Sequence, residues 1–76
     1  MNKYRRKALQ DIKDQLEDLK SSLEDIQAEE EEYRDNMPEN LQGSEKYEKA
    51  EETVGNIEEA ASSLDDAISS IEAAIE

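Results

Sequence analysis

Any chemistry in this chain has to come from carboxylates, tyrosines and hydroxyls, because it contains no Cys and no His. Those absences remove the usual soft metal ligands, the usual neutral-pH base and any disulfide framework. The densest candidate is the run from Glu29 to Glu32, whose oxygens suit a hard cation. It lacks the turn glycine and alternate-residue ligands of a calcium loop, and a charge run on a helix reads as a solvated face. Acid–base work by paired carboxylates needs two distinct, partly buried environments, whereas nearly every acid here falls on an outward helical position. No catalytic residue, cofactor or metal site is assigned, and the chain is not expected to be an enzyme. Tyr33 and Tyr47 read as a stacked layer with hydroxyls in water. Tyr4, outward and without a core duty, is a contact candidate.

The elements that would position these groups announce themselves by spacing. Leu9, Ile12, Leu16, Leu19, Leu23 and Ile26 step by alternating threes and fours, and so do Val54, Ile57, Ala61, Leu64, Ile68, Ile71 and Ile75. Each run lays one apolar stripe along a helix and asks for a helical partner. With Leu9 at heptad position a, the first helix has Leu16, Leu23 and Glu30 at a, and Arg5, Ile12, Leu19, Ile26 and Tyr33 at d. The second has Tyr47, Val54, Ala61, Ile68 and Ile75 at a, with Ala50, Ile57, Leu64 and Ile71 at d. Glu30 is the acid aimed into this seam, opposite Ala50 and within reach of Arg34 one turn on.

Between the runs, Pro38 disfavours helical geometry at Met37 and cannot extend the hydrogen-bond ladder. Gly43 supplies a joint and Ser44 a cap for the second helix. The expected layout is a single domain over residues 1–76, with helices over about 3–36 and 45–75 and a linker over 37–44. A linker this short forces antiparallel neighbours. Met37 and Leu41 are expected to fold over the end of the seam. Folding about Asn40 sets Leu9 by Ile71, Ile12 by Ile68, Leu16 by Leu64, Leu23 by Ile57, Ile26 by Val54 and Tyr33 by Tyr47.

Charges give a separate reading of the same arrangement, since e positions face each other across an antiparallel seam. Arg6, Lys13 and Lys20 on the first helix then meet Glu72, Asp65 and Glu58 on the second, basic against acidic. Exposed pairs of this kind select register more than they stabilise. The g positions are different in kind: Ala8, Gln15, Ser22 and Glu29 face Ala74, Ala67, Ala60 and Thr53. The strip of Ala8, Ala60, Ala67 and Ala74 is small and uncharged, a candidate interface for another helix. The outward acids, Asp11, Asp14, Asp18, Asp25 and Glu32 among them, form a candidate acidic face.

Composition bounds the rest. Seventy-six residues with 34% hydrophobic content and three aromatics can bury little more than one seam. A net charge of −13, from 22 acids against 9 bases, opposes direct binding to nucleic acid and points to a partner with a basic surface. Low hydrophobicity with high charge is also a disorder signature, against which the sustained heptads stand. The basic start MNKYRRKALQDIKDQ turns acidic before any apolar stretch develops, so it reads neither as a secretory signal nor as a membrane span.

The linker with its flanks, Asp35-Asn36-Met37-Pro38-Glu39-Asn40-Leu41-Gln42-Gly43-Ser44-Glu45-Lys46-Tyr47, resembles a recurring stretch in short acidic helical-hairpin proteins of Gram-positive bacteria and their phages and prophages. That family carries no assigned activity, so the resemblance implies context and transfers no functional residue. It implies a phage or mobile-element accessory protein, cytoplasmic in a bacterial cell or infected host, that binds or inhibits a partner protein. The combined expectation is an all-α, antiparallel two-helix coiled-coil hairpin that self-associates into a helical bundle and acts as a non-catalytic interaction module. Two alternatives stand beside it: a nucleic-acid mimic that blocks a DNA- or RNA-binding protein through its acidic face, and a purely structural homo-oligomer.

Overall fold

Strong helix formers fill the chain on either side of Pro38, and no residue before it interrupts the ladder. The computed structural model describes residues 1–76, with two long helices, α1 (Lys3–Asp35) and α2 (Glu45–Ile75), joined through a 3-10 turn over Glu39–Leu41. The Asn2 side chain caps α1 by accepting from the Arg5 amide at 2.9 Å, and Ser44 Oγ caps α2 by accepting from the Tyr47 amide at 3.4 Å. Both satisfy donors that a helix start leaves orphaned. Pro38 begins the linker in an extended conformation, and Gly43 turns the chain into α2 at φ 95°, where an L side chain is strained.

The helices pack antiparallel into a rod of 60 × 14 × 13 Å. The fold is a helical hairpin without strands. Its core is thin: only Met37, Ala50, Val54, Ala61 and Ile68 are buried. Four of the five lie on α2, and α1 contributes none.

The polar pairs across the e rows differ from the sequence expectation by one heptad. Lys13 pairs with Glu72 at 3.4 Å and Lys20 with Asp65 at 2.8 Å, and the Gln27 amide donates to Glu58 at 3.1 Å. The expected partners were Asp65 for Lys13 and Glu58 for Lys20. Arg6 reaches the end of α2 rather than Glu72, its Nε donating to the Ile75 carbonyl at 3.1 Å. Side chains lean toward the start of their own helix, so in an antiparallel pair each lysine of α1 reaches the acid one heptad nearer the end of α2. Met37 is buried at the turn, at 9% exposure. Leu41 does not cover the seam; it stays 41% exposed.

The second correction concerns which rows of α1 face inward. Leu9, Leu16, Leu23 and Glu30 at a are half-buried, and so are Lys13, Lys20, Gln27 and Arg34 at e. The d row is outside: Ile12 is 45% exposed, Leu19 57%, Ile26 52% and Tyr33 51%. Long aliphatic stems at e explain the rotation. Lys13 and Lys20 lay their methylenes over the seam while their ammonium groups reach acids on α2, so those two side chains are only 20% and 29% exposed. Small Ala50 and Ala61 are buried on α2. On α2 itself the a/d pattern keeps its inward sense, with Val54 and Ile68 buried and Tyr47, Ile57, Leu64 and Ile71 half-buried.

Candidate interaction surface

Two broad faces flank the plane of the two helix axes. On the paired face, the e rows meet in the ladder of Lys13–Glu72, Lys20–Asp65 and Gln27–Glu58. Each lysine also leans on an acid one turn along its own helix, Lys13 on Glu17 at 3.7 Å and Lys20 on Glu24 at 3.9 Å. The bond to Asp65 raises the Lys20 pKa above its ordinary value, against partial desolvation that lowers it. Arg34 is raised in the same way by its bond to Asp35. That bond, at 3.0 Å, is the Arg34 partner in place of Glu30.

The opposite face is the one the seam leaves open. Antiparallel heptad geometry puts the d and g rows of α1 and the g row of α2 on the side away from the e–e ladder. Ile12, Leu19, Ile26 and Tyr33 run along it at steps of seven residues, each about half exposed. Beside them on α2 stand Ala60 and Ala74, exposed, and Ala67, half-buried where the row meets the seam. Ala8 continues the strip toward the start of α1. The alanine strip and the displaced d row therefore form one surface, larger and more apolar than the alanines by themselves.

The acidic face is exposed at Asp11, Asp14, Asp18, Asp25 and Glu32. Its members are not brought together: no three acidic side chains gather closely enough to hold a metal ion. Two of them are engaged within α1, Asp11 by Lys7 at 3.0 Å and Asp14 by Gln10 at 3.1 Å. Tyr4 stands 87% exposed beside Lys3 and Lys7. A shallow hollow at the turn lies between Tyr33, Met37, Pro38, Leu41 and Lys46, open and without a buried polar group. No helix is long and apolar enough to cross a membrane.

The open d row had a signal in the sequence. α1 offers apolar or long amphipathic side chains at a, d and e, three adjacent rows, and one partner helix of ordinary width covers two of them. The heptad assignment treated e only as a row of charges. No protein-family model, curated protein or solved structure matches the chain.

Proposed function

We propose that this protein is a non-catalytic interaction module, an acidic helical hairpin that binds other helices through its open apolar face. The observation that carries the reading is the row Ile12, Leu19, Ile26 and Tyr33, four large side chains left 45–57% exposed in a chain with only five buried residues. Exposed apolar surface that is contiguous and rimmed by polar groups is the usual mark of a protein-binding site. The spacing of the row fits recognition of a second amphipathic helix, with anchors once per two turns. The charge of −13 keeps such a surface soluble and favours, among foreign partners, those with basic flanks. The accessory role in a phage or mobile element suggested by the linker belongs to the same reading.

Site-specific photo-crosslinking in the producing cell tests it. A photoreactive residue at Leu19 is expected to give discrete adducts, and one at Asp14 none. Absence of adducts from Leu19 would overturn the reading. Adducts from Asp14 instead would favour the nucleic-acid mimic, for which the support is the continuous exposure of Asp11, Asp18, Asp25 and Glu32 along a stiff 60 Å rod.

A further inference from the structure

We infer that the occupant of the apolar face is a second copy of this chain, stacked face to face with both turns at the same end, so that α1 of each copy lies over α2 of the other. The inference rests on the interaction-module reading and names its first partner. A hairpin with one thin seam is short of the core that a chain of this size needs, and oligomerisation is a usual remedy. The face is also long enough. From Ala8 to Tyr33 at 1.5 Å per residue, over two helices, it offers a strip roughly 40 by 15 Å, on the order of 600 Å2 per copy and about 1,200 Å2 per pair, the lower range of specific interfaces.

Charge selects the occupant and its orientation. Two chains of −13 repel wherever their acids meet, and the apolar face is the surface on which α2 brings no acid at all: its neighbouring c row reads Lys49, Asn56, Ser63 and Ser70. On α1 the corresponding row is acidic, Asp11, Asp18, Asp25 and Glu32. Two-fold stacking allows two arrangements. With the axis across the rods, α1 lies over α1 and the two acidic rows oppose each other. With the axis along the rods, each acidic row faces the acid-free row of the partner's α2, and every helix has antiparallel neighbours, as in an up-and-down four-helix bundle. The second arrangement avoids the like-charge contact and is the one inferred.

Salt separates this partner from a basic one. Screening relieves repulsion between two acidic chains, so self-association strengthens with ionic strength, whereas attachment to a basic surface weakens. Sedimentation of the purified full chain is expected to show a monomer–dimer equilibrium whose dissociation constant falls roughly tenfold between about 0.05 and 0.5 M NaCl. Leu19→Asp with Ile26→Asp is expected to weaken it about 100-fold or more. Ala60→Glu with Ala74→Glu should do the same while keeping two exposed, helix-favouring positions helical. Because the chain has no Cys, a spin label on Asn40→Cys reports orientation cleanly. Turns at one end give a label separation under about 30 Å, and turns at opposite ends give one near the 60 Å length of the rod.

A monomer at every concentration and salt overturns the inference. So does association that weakens with salt, association untouched by Ala60→Glu with Ala74→Glu, or the long label separation. None of these results removes crosslinks from Leu19 to other proteins, so the interaction-module reading stands or falls separately.

Discussion

α1 and α2 have nearly the same length, 33 and 31 residues, and the same three-and-four spacing of apolar side chains, yet α2 buries four residues and α1 buries none. The difference lies in what flanks the stripe. α2 sets small residues in its seam and acids at e, so a neighbour can come close and be held at one edge. α1 sets lysines with long stems at that edge, and pairing them rotates the helix until its d row faces water. A stripe that looks complete in the sequence is thus shared between two surfaces, the seam within the hairpin and the open face beside it.

Matched substitutions on the two helices would break or sharpen this contrast. The largest effect is expected for Ile68→Ala, because Ile68 is 7% exposed and truncating a buried isoleucine costs about 2–5 kcal/mol, enough to unfold a hairpin of this size. Ile26→Ala, at 52% exposure, should cost less than half as much when both are melted at concentrations where the chain is monomeric. Equal losses by circular dichroism would mean that α1 buries its d row after all.

Next comes the turn that joins the helices. Gly43→Ala meets no neighbour within 4 Å, so its expected cost of about 1–2 kcal/mol in a urea melt comes from the positive φ alone. Gly55 is the counter-case within a helix. It too has open space around its Cα, and Gly55→Ala should raise stability by about 0.5–1 kcal/mol. A loss there would show that Gly55 touches something that the hairpin itself does not supply.

The smallest effect is the most direct check on the ladder. A double-mutant cycle between Lys20 and Asp65 should show coupling, and one between Lys13 and Asp65 should show none. The pH dependence has a definite sign. Lys20 is raised in the folded state, so its contribution is complete below the unfolded lysine value and disappears as pH climbs through the folded one. Thermal melts across the alkaline range should therefore converge for the wild type and Lys20→Gln, while a gap that widens with pH would contradict the pairing.

The candidate surface was legible only in part. Ala8, Ala60, Ala67 and Ala74 stood out because they are uncharged in a chain that is 41% charged, and that contrast needs no coordinates. Ile12, Leu19, Ile26 and Tyr33 were read into the seam, because a heptad template assigns every a and d residue to one partner and takes no account of how far Lys13 and Lys20 turn the helix. Met37 was legible as a covering residue, and it is buried at the turn.

By itself the sequence determined the elements and their number. Pro38 and Gly43 divide two heptad runs, Ser44 starts the second, and a short linker leaves antiparallel packing as the way to cover both stripes. Tertiary structure decided the partners in the ladder and the rotation of α1 about its axis. A heptad pattern does not say how far each side chain leans along its helix or where its stem packs, so only the fit of the lysine stems against α2 determines which acids they meet and which side chains remain for a partner.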